Sequence, residues 1–179
     1  MSEHVLVLNC GSSSIKYQLV SVADGAVPAR GLAEKIGEET GRLRHSGPDQ
    51  ELEQDERIAD HDAGLRAILA AFEQTGPLLT DATLAAVGHR VVHGGNEFAD
   101  PVLITDEVVD AIDRLTTLAP LHNPANLAGI RVAQAALPNT PQVAVFDTAF
   151  HQTLPRHAFT YAVPAPWRDE HGVRRYGFH

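Results

Sequence analysis

Apolar residues fall into two rhythms along this chain. Val5 to Leu8 is a short unbroken run rich in β-branched side chains, the pattern of a buried strand. From Ile15 the period becomes two: Ile15, Tyr17 and Leu19 share one face, Lys16 and Gln18 the other. That is a half-buried strand, and the polar, glycine-bearing stretch between the runs makes the opening a β-hairpin. Further strands are expected near Ala29 to Ile36 and Gly41 to His45. Ser46 to Arg57 is dense in Asp and Glu and reads as a surface loop.

The period then changes to that of a helix. Asp62 is placed to cap a segment carrying Leu65, Ile68, Leu69 and Phe72 on one face, and Gly76-Pro77 stops it. Leu84 to Val92 is apolar and β-branched, a strand. Thr105 caps the next helix, with Asp106 and Glu107 where the helix dipole favours them and Val108, Ile112 and Leu115 as its buried stripe. Asn123-Pro124 opens another helix, since proline at the first helical position loses no bond. Leu127, Ile130, Ala133 and Leu137 follow at helical spacing, and Pro138 ends the run. Gln142 to Phe146 is a buried strand ending in Asp147. Short strands are expected again near Phe159 to Val163 and Arg174 to Tyr176. The division is therefore a domain over 1–148 and the beginning of a second, incomplete one over 149–179.

Composition narrows the class. The chain has 179 residues, 44% apolar and 21% charged, enough to fill a core without staples. One cysteine, Cys10, excludes an internal disulfide and suits a reducing cytoplasm. The formal charge of 14 − 23 = −9 argues against broad nucleic-acid or anionic-membrane surfaces. It leaves room for a phosphate ligand, which a few local donors can hold. No stretch approaches the length of a membrane span, and the N-terminus is not expected to be a signal peptide. The ten histidines lack the H-E-x-x-H spacing of a zinc site.

Three segments carry candidate chemistry. In Asn9–Lys16, Gly11 lets backbone approach a ligand, Ser12 to Ser14 add hydroxyl donors, and Lys16 can reach a terminal phosphate. It lacks Walker spacing, and by itself it also reads as a serine-rich hairpin turn. In Gly88–Gly95, Arg90 offers a planar fork for carboxylate or phosphate oxygens, or for a structural ion pair. Asp147, at the carboxyl end of a buried strand, lies at the edge where open α/β sheets bind ligands. It can hold a metal, orient a nucleophile or exchange a proton, or simply cap the next segment.

Taken together, Asn9–Lys16, Gly88–Gly95, Ala119–Asn126, Val145–Thr153 and Gly172–His179 resemble the acetate kinase family in order and separation. The resemblance implies an α/β fold of the actin, Hsp70 and sugar kinase class. Its core is RNase H-like, a mixed five-stranded sheet with flanking helices, followed by the start of a second such domain. It implies the reaction ATP + acetate giving ADP + acetyl phosphate, with Mg²⁺, for which Mn²⁺ can substitute. It further implies a cytoplasmic, homodimeric full-length enzyme with no nucleic-acid or membrane partner.

The resemblance also assigns residues. Asn9 resembles the residue near the metal. Gly11, Ser12, Ser14 and Lys16 resemble the phosphate-side contacts, and Arg90 the arginine of the substrate carboxylate. Val92, Leu121 and Pro124 resemble the wall of the methyl pocket, with His122 close by. His179 resembles the histidine that steadies the transferring phosphoryl. Asp147 resembles the essential acid, a proton donor or acceptor in the family. Acetate is already ionised at neutral pH, so an orienting role for Asp147 is the expectation. The family's chain continues beyond the counterpart of His179 with adenosine-binding loops, a second arginine and a metal-proximal glutamate, so the 179-residue chain is expected to be inactive alone. Propionate as the favoured acid, or a non-catalytic split-chain module, are the alternatives.

Overall fold

The computed structural model describes residues 3–79 and 83–177. Its strands are β1 (His4–Cys10), β2 (Ser14–Ser21), β3 (Ala29–Glu34), β4 (Gly41–Ser46), β5 (Glu51–Glu56), β6 (Leu84–Val91), β7 (Val102–Leu103) and β8 (Gln142–Phe146). The helices are α1 (His61–Thr75), α2 (Asp106–Arg114), α3 (Asn123–Ala136), α4 (Arg156–Phe159) and α5 (Ala165–Asp169). The strands form one sheet in the order β5-β4-β3-β2-β1-β6-β8-β7. β1 to β5 make an antiparallel meander, while β1, β6 and β8 run parallel. The inner run β3-β2-β1-β6-β8 is the expected five-stranded mixed core; β4, β5 and β7 widen it to eight.

Alternation decides which face is covered. Leu6, Leu8 and Cys10 of β1 and Ile15, Tyr17 and Leu19 of β2 point to one side, where Leu65, Ile68 and Phe72 of α1 meet them. A second cluster joins Val91 of β6 and Phe146 of β8 to Ile112 of α2 and to Leu127 and Ile130 of α3. The opposite positions, Val7, Asn9, Lys16, Gln18, Arg30, Leu32 and Arg44, line an open groove of about 800 Å³.

Four local expectations change. The acidic stretch is a strand, because β5 pairs with β4 from Gly41↔Glu56 to Ser46↔Glu51, and ladder bonds use only the backbone. Arg42 offsets its unfavourable composition, reaching Asp55 at 2.6 Å and Glu53 at 3.3 Å. Asp60, not Asp62, caps α1, accepting from the Ala63 N–H at 2.8 Å; Asp62 instead pairs with Arg66 one turn on. The two-residue β7 was not anticipated. The strands expected at 159–163 and 174–176 do not form: α4 occupies the first approach, and the two segments share a backbone bond from Arg175 N to Phe159 O at 2.9 Å. Thr105 caps α2 as expected, accepting from Val108 N–H.

Candidate active site

Three parallel strands end at one edge of the sheet, and each delivers a polar side chain there. Asn9 is the penultimate residue of β1, Arg90 the penultimate residue of β6, and Asp147 the first residue after β8. Alternation aims Arg90 away from the core that its neighbour Val91 fills. Arg90 Nε donates to both Asp147 oxygens, at 2.9 and 3.1 Å, and Nη2 donates to Oδ2 at 2.6 Å. Its Nη1 donates to Asn9 Oδ1 at 3.2 Å. The Asp147 hydrogen bonds raise the pKa of the guanidinium above its already high ordinary value, so the cation is permanent. Asp147 is mostly covered at 15% side-chain exposure, whereas Arg90 keeps 44%, so the cation remains accessible to a ligand.

The hairpin adds a second cation to this edge. Lys16 stands directly opposite Asn9 in the β1–β2 ladder, and both line the open groove. Between them the turn is tightly held. Gly11 N–H donates to the Ser14 carbonyl at 2.8 Å, and Ile36 N–H donates to the Ser13 carbonyl at 3.0 Å. His61 Nε2, at the start of α1, donates to the Gly11 carbonyl at 2.6 Å. Ser12 and Ser13 are exposed and Ser14 half-buried, which leaves hydroxyl donors at the turn. Two cations, a carboxamide and a serine-bearing turn on one edge suit a ligand rich in anionic oxygen.

The comparisons decide what kind of protein presents this edge. The family model described as the Acetokinase family matches residues 4–179. The chain belongs to the acetokinase family. The acetate kinase of Streptomyces coelicolor is 54% identical over 180 residues, which is 99% of this chain and 44% of that protein. That of Leifsonia xyli is 56% identical over 98% of this chain and 44% of its own length. The crystal structure of Porphyromonas gingivalis acetate kinase superposes with a TM-score of 0.91 at 43% identity, covering 99% of this chain and 45% of that one. A propionate kinase from Francisella tularensis gives 0.91 at 36% identity, covering 98% of this chain and 44% of its own. The chain thus spans less than half the length of these acetokinase relatives.

The other positions singled out by the acetokinase resemblance gather at the start of α3. Val92 is buried and its N–H donates to Asn126 Oδ1 at 3.0 Å. Leu121 is 79% exposed, His122 precedes the first residue of α3 and is exposed, and Pro124 is exposed in the first turn. His179 lies outside the described residues. Among the described residues no three His, Cys, Asp or Glu side chains cluster as a metal site. Asn9 Oδ1 and the Asp147 carboxylate are nonetheless joined through one guanidinium. Carboxamide and carboxylate oxygens are donors of the hard kind that suits Mg²⁺, and here both accept from the Arg90 cation.

Sequence reasoning passed over four residues at this edge. Asn123 and Asn126 are buried and bond to the backbone after β6. Thr148 is 2% exposed and its hydroxyl accepts from Gly94 N–H at 2.9 Å. His61 pins the hairpin. The available signal was polarity in the wrong place: Asn123 and Asn126 share the α3 face of Leu127 and Ile130, and a buried amide must be bonded.

Proposed function

We propose that this chain carries the acid-binding and phosphate-binding part of an acetate kinase site, acting in reversible phosphoryl transfer from ATP to acetate. The observation that carries the proposal is the Arg90 guanidinium, bonded to both Asn9 and Asp147 yet open to a ligand. Arg90 binds the acetate carboxylate while Asp147 fixes the plane of its fork. Lys16, the backbone at Gly11 and the Ser12 and Ser14 hydroxyls hold the phosphates. Val92, Leu121 and Pro124, with His122 beside them, form the wall for the methyl group, and His179 steadies the transferring phosphoryl.

The transfer is direct and in line. An acetate oxygen forms the new O–P bond as the bond from the γ-phosphorus to the β–γ bridging oxygen breaks, leaving ADP and acetyl phosphate. The nucleophile is already an anion, so no side chain needs to remove a proton. Positioning and stabilisation of spread-out charge do most of the work. Mg²⁺, or Mn²⁺ in its place, held through Asn9 and Asp147, would supply compensating positive charge at the phosphates. Residues 149–179 begin a second domain, and the full-length enzyme is a cytoplasmic homodimer.

The experiment is a chimera joining residues 1–179 to the remainder of the Streptomyces coelicolor acetate kinase, with acetyl phosphate trapped as hydroxamate. The chimera is expected to turn over acetate, ATP and Mg²⁺, and the 179-residue chain alone is not. A folded but inactive chimera overturns the reading. The Francisella tularensis neighbour favours a second reading, propionate as the acid. One methylene is worth only about 1–3 kcal/mol in an apolar pocket, so kcat/KM for both acids in the chimera decides between them.

A further inference from the structure

The β1–β6 ladder stops one residue short of the site. Its paired positions run from His4↔Leu84 to Leu8↔His89, so Asn9 and Arg90 lie just beyond the last pair. β2 and β8 still pair the outer sides of these strand ends, but no ladder bond holds the two ends to each other. Here a single buried side chain takes over. Asn126, 4% exposed on α3, donates from Nδ2 to the Cys10 carbonyl at 2.8 Å and accepts at Oδ1 from Val92 N–H at 3.0 Å. One carboxamide thereby ties β1 one residue past Asn9 to the chain two residues past Arg90. Gly129, one turn further along α3, leaves no room for a Cβ against Cys10, and this closeness lets the amide reach β1. Asn123 fixes the next residue, accepting from His93 N–H at 3.2 Å and donating to its carbonyl at 3.0 Å.

We propose that Asn126 is a positioning residue that sets the separation of Asn9 and Arg90, and so the geometry of the acid and phosphate contacts. The proposal rests on the kinase reading of that cluster for its functional consequence, but its structural part stands without it. At neutral pH an amide is the side chain of this size that offers a donor and an acceptor on one carbon, matched to a carbonyl on one strand and an N–H on the other.

The test begins with the 179-residue chain and its Arg90 Nε–H and Asn9 carboxamide NMR signals. Asn126→Leu is expected to shift both. Asn126→Asp, nearly isosteric, is expected to shift both at neutral pH, where two carboxylate oxygens face the Cys10 carbonyl and Val92 N–H. As the pH is lowered, its protonated carboxyl can again donate to Cys10 and accept from Val92. Its signals should then return towards the wild-type positions, while those of Asn126→Leu should not. If Asn126→Leu does not fold, the Asp variant alone carries the test. Signals unchanged from wild type in a folded variant overturn the proposal.

In the active chimera, Asn126→Leu is expected to lower kcat about 100-fold, the scale of an ångström-level misplacement. Asn126→Asp should recover relative to wild type as the pH falls. A wild-type kcat for the Leu variant overturns the proposal. An inactive parent chimera whose Arg90 signal still responds to Asn126 overturns the kinase reading and leaves the positioning role standing.

Discussion

Arg90 divides its donors between two neighbours: Nε and Nη2 hold Asp147, and Nη1 reaches Asn9. Lysine keeps the charge but loses the planar fork that engages both Asp147 oxygens while a separate nitrogen reaches Asn9. Arg90→Lys should therefore lower kcat/KM for acetate in the chimera by about 10- to 150-fold, the loss of one charged hydrogen bond of roughly 1.5–3 kcal/mol. The same change should alter unfolding free energy by about 1 kcal/mol or less, because the guanidinium is partly solvated. Steady-state kinetics beside urea titrations separates the two effects. Away from the site, His45 is buried against Phe72, its Nδ1 2.6 Å from the Tyr17 hydroxyl. Burial holds its pKa below the ordinary imidazole value, as it does for His89, whose ring meets Gln142 at 2.7 Å. The unfolded chain therefore takes up these protons first as the pH falls. Stability is full above about pH 6.5 and declines below it, by at most about 1.4 kcal/mol per pH unit per histidine. His45→Gln should flatten part of that slope in denaturant midpoints measured between pH 7 and 5. An unchanged slope would show that His45 does not contribute. Arg90 and Asp147 were legible as polar residues in or at the end of buried strands, and Asn9 only through the family resemblance; the structure brings the three side chains together. Asn126 was not legible, because its partners are backbone atoms 34 and 116 residues away, and backbone atoms leave no trace in residue type.

At the scale of elements, the hairpin, the parallel strands and the three longer helices were readable from period, and α2 from its cap as well, whereas the cap of α1 lies two residues earlier than expected. β5 was not readable, and the reason bears on how the sheet ends. Glu51, Glu53 and Asp55 disfavour a strand by composition, yet β5 is the outermost strand on its side. An edge presents unpaired N–H and C=O groups to any passing strand, and charge is the usual guard against pairing. The acidic positions that hid β5 from pattern reading are thus placed to guard that edge. β7 escaped for a simpler reason: two residues are too few to show a period. Replacing Glu53 and Asp55 together by valine should raise strand propensity while stripping the guard. Sedimentation velocity is expected to show concentration-dependent association of this double variant, with the parent chain unaffected. A variant that stays monomeric across the same range would mean that another feature protects the edge.

Across the whole molecule, stability is concentrated in the sheet and its three longer helices. The two core clusters draw on β1 to β8 and α1 to α3, whereas α4 and α5 bury no residue. Among the described residues, the segment after β8 is joined to the sheet unit by a short series of polar and aromatic contacts. Thr148 bonds Gly94 at 2.9 Å, and Gln152 donates to the Gly95 carbonyl at 2.7 Å. Further on, the Tyr176 ring meets His93 edge-on at 4.8 Å, while Arg174 stacks on Phe159 at 3.7 Å within the segment itself. Regions with little buried surface open at low free energy. Amides of α4 and α5 should therefore exchange with solvent long before those of β1, β2 and β6. A chain cut after Leu154 keeps the Thr148 and Gln152 bonds and gives up the Tyr176–His93 contact. An aromatic contact of that kind is worth about 0.5–1.5 kcal/mol, so the shortened chain should unfold cooperatively with a loss of no more than about 2 kcal/mol. Urea denaturation of the two chains side by side measures it. A much larger loss, or a transition that ceases to be cooperative, would mean that the sheet unit depends on the residues that follow it.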